Sequence, residues 1–464
     1  MDHTTELIQA IAQQVATLVQ ATQSQRTEAP AAMNLAWIET GLRDTLRQIG
    51  AEALSHWLSA AQGTPEAERP CACGGTLHYQ RIRAATILSV FGRVTYERAY
   101  YAGCTCGHGC APLDEQYGVR PGQVSAGLSE LLTLAGVELA FDHSQRWLKG
   151  FLLFDVSENT IRHETQTLGQ TQATQEAEWQ KQSHDPAWLQ AHLRTPVPIL
   201  PRLYGSLDAA KVRIEPRDPA EKQADHETWR DLKVGGWYEA EPVPPRQHST
   251  RQQAVMERGQ LAQRATHIRY YCDIAEAHTF GDLMWATGCM AQADRTRELV
   301  FVCDGAAWIW SLITTHYAHA VQIVDWYHAA DRLQRVAHAA FPQTESRDRW
   351  LERTTTALWE GRVTNVIQAC ADLGTHSPEA HDAETYFTNN QARMRYDQYR
   401  EAGYLIGSGT VESSCKQIVT QRLKCSGAQW LIPGAVDTAK ARAAWLSGEW
   451  TPVCARWADL PLAI

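Results

Sequence analysis

Two neighbouring segments narrow the folds open to this chain more than any other feature. In "ELVFVCDGAAWIW" a run of buried-strand character ends at Asp304, Gly305 follows, and a helix-like stretch begins. "HAVQIVDWYHAADRLQRVAHAAF" repeats the plan, with a short apolar strand, Asp325 at its end, then a helix. Strand, helix and strand at this spacing form a βαβ unit, whose crossover makes the strands parallel. Both aspartates then stand at the carboxyl edge of one sheet, where open α/β sheets carry their ligand sites. A single Asp there would do no more than cap the following helix. Two in tandem, joined by further acids, favour a site.

In "LYGSLDAAKVRI", Asp208 shares parity with Ala210, Val212 and Ile214, so a strand turns all four side chains to one face. A buried carboxylate without a partner is costly, so Asp208 needs a cation, a metal or a cleft opening. "KVGGWYEAEPV" supplies a partner strand. In "LIGSGTVESSCKQIVTQRLKCSG", Thr410 reads as the N-cap of a helix running to about Lys424. Val411, Cys415, Ile418, Val419 and Leu423 form its core stripe, and Glu412, Lys416, Thr420 and Lys424 another face. A Glu412–Lys416 pair is ordinary on an exposed helix, but the Gly-Ser-Gly-Thr lead-in lets another backbone or a ligand come close.

Residues 391–425 hold six basic side chains (Arg393, Arg395, Arg400, Lys416, Arg422, Lys424) against three acids (Asp397, Glu401, Glu412). That excess suits phosphate contacts, with Lys416, Arg422 and Lys424 as the expected DNA-binding residues. Carboxylates from two strands and a late helix are the hard-oxygen set that holds two Mg²⁺ (or Mn²⁺) ions roughly 4 Å apart.

Five of the twelve cysteines cluster, in "CACGG" and "CTCGHGC", on either side of a segment (83–101) that alternates around a glycine as a β-hairpin does. Cys71, Cys73, Cys104 and Cys106 read as two knuckles of a structural zinc site, with Cys110 or His108 as an alternative ligand. The start of the chain lacks signal-peptide character, which disfavours a disulfide framework and points to a cytoplasmic, nucleoid-associated protein. No apolar run approaches the ~18–20 residues that span a bilayer.

"DHSQRWLKGFLLFDVSENTIRHETQTLG" reads as two helices about a turn at Asp155–Val156, the second capped by Ser157. Asn159, Arg162, His163 and Gln166 on that second helix suit a helix-turn-helix reader of DNA. At 464 residues, 44% hydrophobic and 20% charged, the chain is globular and multidomain. A net charge of −9 argues weakly against indiscriminate coating of nucleic acid and leaves local basic surfaces open. The expected segments are a helical N-terminal region (1–62), a zinc-ribbon-like β module (63–122), a helix-turn-helix-like region (123–195), a strand-bearing core (196–328), a helical stretch (329–403) and the remainder of the core (404–464).

"LDAAKVRI", "FVCDGAAWIW", "VQIVDWYHAADRL", "LWEG" and "GSGTVESSCKQIVTQRLK" together resemble the catalytic motifs of bacterial insertion-sequence DDE transposases of the ISKra type, distantly related to the Mutator-like group. The cysteine-bearing module upstream resembles that of the same family, so the likeness covers most of 65–430. The resemblance implies an RNase H-like α/β core in a multidomain α+β protein, with Asp208, Asp304 and Glu412 as catalytic, magnesium-binding acids. The long gap before Glu412 would be a helical insertion. Asp325 and His328 match the family's D-x2-H signature and take a supporting role. The first motif reads Asp-Ala where many relatives carry Asp-Gly, and the second knuckle is Cys-x-Cys where Cys-x2-Cys is usual.

The implied activity is DNA transposition: binding of double-stranded element ends, phosphodiester hydrolysis and strand transfer by a homo-oligomer. Two rivals remain at this level. One is a carbohydrate-active hydrolase, with 17 tryptophans for stacking on sugars. The other is an inactive or domesticated transposase acting as a zinc-ribbon DNA-binding regulator.

Overall fold

The computed structural model describes residues 35–61, 63–215, 229–374, 377–407 and 409–449, with scattered positions between 5 and 20. The expected helical N-terminal region (1–62) therefore falls largely outside the described residues before 35, as does the side chain of Val411. The protein is mixed α+β and mostly helical, with one sheet of three strands and one of five. It resolves into two compact units that divide between Thr165 and Gln166, inside the helix Glu158–Ser183. Among the described residues no helix is long and apolar enough to cross a membrane.

The first unit is built on the expected hairpin. Strands β1 (Glu68–Pro70), β2 (Thr76–Ser89) and β3 (Gly92–Ala102) form an antiparallel sheet, and Ser89 pairs with Gly92 at the hairpin turn. Alternation decides what the hairpin buries. Val94 and Tyr96 point inward beneath Leu58 of the helix Leu35–Ala61, while Arg93, Thr95 and Glu97 stay exposed. Asp114 ties down the following loop, accepting from Tyr96 Oη at 2.7 Å and from Arg98 Nε at 2.6 Å. The helices Ala126–Glu138 and Phe141–Leu152 then pack with the start of Glu158–Ser183 through Leu128, Leu132, Leu148, Val156 and Ile161.

The second unit holds the five-stranded sheet, in the order β6-β5-β4-β7-β8. Strands β4 (Arg202–Arg213), β5 (Trp229–Pro242) and β6 (Gln263–Asp273) are antiparallel, whereas β7 (Glu298–Cys303) and β8 (Val321–Val324) continue parallel to β4. Residues 203–207 and 299–303 are buried on both faces, as a sheet covered by helices on each side requires. The covering helices include Ala277–Met290 and Ala307–His316, and the core between them is aromatic: Tyr204, Trp237, Tyr271, Phe301 and Tyr317.

The expected helical stretch is present as Trp326–Ala340, Thr344–Trp359, Val363–Gly374, Pro378–Asn390 and Tyr396–Glu401. Its two ends meet where Trp326 N donates to Ile406 O at 2.8 Å. The last described helix, Ile432–Leu446, packs on β6. Its buried Lys440 is held by Glu176 at 2.5 Å, Asp273 at 3.0 Å and the Cys272 carbonyl at 2.8 Å.

Candidate functional site

The parallel register gathers the aspartates. Gly205 pairs with Phe301, and Cys303 with Val324. Carried forward, the same offsets set Asp208 level with Asp304, and Asp304 level with Asp325, at the carboxyl ends of β7 and β8. Local bonds hold two of these carboxylates, Asp325 as the N-cap of its helix and Asp304 in the turn before the helix Ala307–His316. Asp304 Oδ1 accepts from Ala306 N at 2.9 Å, and Asp325 Oδ1 accepts from His328 N at 2.9 Å. Capping and site-building are thus not alternatives here.

Gly305 lets the helical stretch close down on this edge. A Cβ at that position would lie 2.0 Å from the Tyr386 ring, so only glycine admits the ring beside Asp304. Arg332 stacks on the same ring, its guanidinium 3.9 Å from the centroid.

Asp208 is half-buried, and its carboxyl is pushed up, chiefly by desolvation and further by the charge of Asp304. The Ala209 N–H at 2.7 Å, the Cys415 thiol and His328 oppose that shift. Cys415 lies one turn beyond Glu412, so the contact seats the Glu412 helix, Gly409–Cys415, against β4.

Glu412 meets His328 rather than the strand acids. His328 Nδ1 is 3.4 Å from Glu412 Oε1 and 3.9 Å from Asp325 Oδ2. Asp325 foremost, with Glu412 and Asp304, holds the imidazole up to about 9 despite its partial burial, so it is cationic at neutral pH. Asp325, His328 and Glu412 present ligand atoms within 4.8 Å of one another, close enough to hold a metal ion once the imidazole gives up its proton, and Asp208 and Asp304 stand outside that grouping. Of the acids expected to hold Mg²⁺, Glu412 thus lies beside His328 and Asp325, while Asp208 and Asp304 neighbour one another across β4 and β7.

The basic residues correct the sequence expectation more sharply. The helix after Glu412 does not stay α: Lys416–Thr420 forms a π-turn before Gln421–Leu423. Cys415, Ile418, Val419 and Leu423 are buried as expected, and Lys416, Thr420 and Lys424 are exposed. Arg422, expected to meet phosphate, is only 2% exposed, with its guanidinium over the Trp430 ring and its pKa lowered to about 10 by desolvation. Arg393 over Trp310 and Arg400 over Trp359 are likewise turned inward. Arg395, Lys416 and Lys424 remain exposed, against exposed Asp397 and Glu401, while Arg393, Arg400 and Glu412 are half-buried, so Arg422 is the basic residue of this stretch withdrawn from the surface.

The proposed DNA-reading helix begins as expected, with Ser157 Oγ accepting from Thr160 N at 3.1 Å. Asn159, Arg162 and His163 are exposed, and Arg162 donates to Asn159 at 2.8 Å. Gln166 differs. It is half-buried and directed to the Gly434 carbonyl at 3.5 Å, so it does not stand on an outward-facing edge.

The four knuckle cysteines come together, with Cys71 Sγ 3.6 Å from Cys106 Sγ and Cys73 Sγ 3.4 Å from Cys104 Sγ. All four sulfurs lie within 4.8 Å, a set able to hold a metal such as zinc. Gly74 and Gly107, at φ +87° and +73°, turn each knuckle, and their N–H groups donate to the carbonyls of Cys71 and Cys104. The Cys104 thiol is pushed down to about 6, first by the backbone N–H at Cys106 and then by neighbouring thiols. Cys110 and exposed His108 stand outside the four-sulfur set.

The sequence reading missed Arg332, four residues after His328 on one helix face; Tyr386; and Cys415, read only as core. The i,i+4 and i,i+3 spacings to His328 and Glu412 were the available signals for Arg332 and Cys415.

No protein-family model matches the chain, and no curated protein matches it.

Proposed function

We propose that this chain is a DDE-type transposase of a bacterial insertion sequence, a metal-dependent polynucleotidyl transferase acting on double-stranded DNA. In this reading the five-stranded sheet is an RNase H-like core, the stretch 329–403 its helical insertion, and the cysteine knuckles a zinc-ribbon-like module. One observation carries it: Asp304 and Asp325 follow the ends of two adjacent parallel strands, Asp208 stands level with them within the neighbouring strand β4, and a late helix returns Glu412 to His328 at the same place.

The donors suit a hard divalent cation. They are carboxylate oxygens, and Asp208, raised by burial and by Asp304, has an ionised form that a cation would stabilise. Asp208, Asp304 and Glu412 would hold two Mg²⁺ or Mn²⁺ ions, which when bound supply activation of the attacking oxygen and stabilisation of the leaving one. The chain's own residues set the stage. Asp325 and the helix it caps fix His328, and His328 positions Glu412. Tyr386 closes the site from the insertion side, and exposed Lys416 and Lys424 are available to phosphates. Water and then a freed 3′-OH would serve as nucleophiles, so no serine or tyrosine forms a bond to DNA. Two element ends handled together call for a homo-oligomer on DNA.

The test is strand cleavage and transfer on DNA carrying the sequences that flank the coding region, with Mg²⁺. Asp304→Asn and Glu412→Gln should each abolish both steps and leave DNA binding intact. Retained activity in either variant would sink the assignment.

A further inference from the structure

Beside the Glu412 helix lies a cleft of about 430 Å³, within the roughly 300–1,000 Å³ range of small-molecule sites. Among the described residues four glutamines line it (Gln252, Gln260, Gln263 and Gln417), together with Tyr270 and Tyr327, and none of those lining residues is a carboxylate. For a cleft bordering an acid cluster that is a distinctive composition.

The amides are held in place. Gln260 Nε2 donates to Tyr404 O at 2.8 Å, Gln263 Nε2 to Gly403 O at 3.3 Å, and Gln417 Nε2 to Ser413 Oγ at 2.9 Å. Gln252 Oε1 accepts from Ser249 N at 2.8 Å. An amide has two donors and two acceptor lone pairs, so each keeps capacity for a ligand after its one bond is made. Pre-set amides beside aromatic rings can recognise a planar heterocycle whose edge carries both donors and acceptors, as a nucleobase edge does.

Position supplies the rest. Thr410 and Ser413 belong to the Glu412 helix and face the cleft, and Tyr327 precedes His328. Arg264, also on the wall and 3.9 Å from Glu241, brings an exposed cation that a phosphate would compete for.

We propose that this cleft takes an unstacked nucleobase of the DNA strand whose phosphate lies at the acids, seated against Tyr327 and read by the glutamine amides. This deepens the reading of the site as a phosphodiester-processing centre and rests on it. A base held there fixes the register of the scissile phosphate and favours DNA that is already unpaired or easily unpaired beside the cut.

The experiment uses the full chain with a single-stranded oligonucleotide bearing 5-iodouracil, photo-cross-linked and mapped by mass spectrometry. Cross-links at Tyr327 or Tyr270 are expected. Tyr327→Ala and Gln417→Ala should each weaken oligonucleotide binding about tenfold, the effect of losing one stacked or paired base. Thermal melting of each variant checks the fold, and Gln263→Ala, on a separate element, repeats the test if either is unfolded. Cross-links confined to other surfaces, with Mg²⁺-dependent cleavage intact, overturn the cleft proposal and leave the enzyme reading standing. Cross-links in the cleft with no cleavage on any DNA overturn the enzyme reading and retain a base-binding site. Displacement of the cross-link by dTMP at a concentration equal to the oligonucleotide would identify the ligand as a free nucleotide, overturning the strand-bound form.

Discussion

His328 reaches Glu412 across 3.4 Å, joining the first turn of one helix to the acid that opens another. The residues are far apart in sequence, and the imidazolium that joins them is itself anchored by Asp325. Glu412 is thus held by its own chain, through a partner that is cationic at neutral pH.

His328→Ala should release Glu412 without unfolding the protein, because a partly exposed ion pair contributes at most ~1 kcal/mol. Cleavage in Mg²⁺ should fall about 10–100-fold, the usual effect of losing a group that orients a ligand. Kinetics alongside a melting curve check this, and a large fall in melting temperature would mark His328 as structural instead.

The chain should carry one structural zinc, measurable by native mass spectrometry. Cys104→Ser should lose it, and Cys110→Ser should keep it. A strong chelator should open residues 63–122 to protease while the five-stranded sheet stays protected, because the small β module depends on its metal for stability.

Arg422 and Lys416 should separate cleanly. Arg422→Ala removes a buried side chain that packs on Trp430, and should destabilise by about 1–3 kcal/mol in urea unfolding. Lys416→Ala should leave stability unchanged and lower the slope of log binding against log salt by about 1 if the lysine meets a phosphate.

Lys440→Met should be among the most damaging single changes. It strands Glu176 and Asp273 around a buried hole in charge, a loss of about 3–5 kcal/mol. Pairing it with Glu176→Leu should recover part of that in a urea titration.

Much of this site was legible in the chain because the parallel strands announce themselves. β7 and β8 are short apolar runs that each end in an aspartate, and the hairpin alternates cleanly about Gly92. Other parts were hidden for physical reasons. β6 reads "QRATHIRYYCD" and buries only Tyr271 and Cys272, so an edge strand of this kind carries little alternation to detect. The helix Ile432–Leu446 conceals its buried face behind Asp437, Lys440 and Arg442, charges that look like surface until their partners are known. Arg422 sits four residues after Ile418, at core spacing, and was misjudged because its charge outweighed its position. The π-turn that precedes it leaves no mark in residue type.

The hydrogen bond from Trp326 to Ile406 pinches the helical segment at its base like the neck of a flask. Entropy of closure grows only with the logarithm of loop length. The body above the neck can therefore lengthen, shrink or be exchanged over generations at small thermodynamic cost, so long as Tyr386 or a substitute still seals against Gly305. A lineage carrying this architecture has a place to experiment with new surface while its acids stay still.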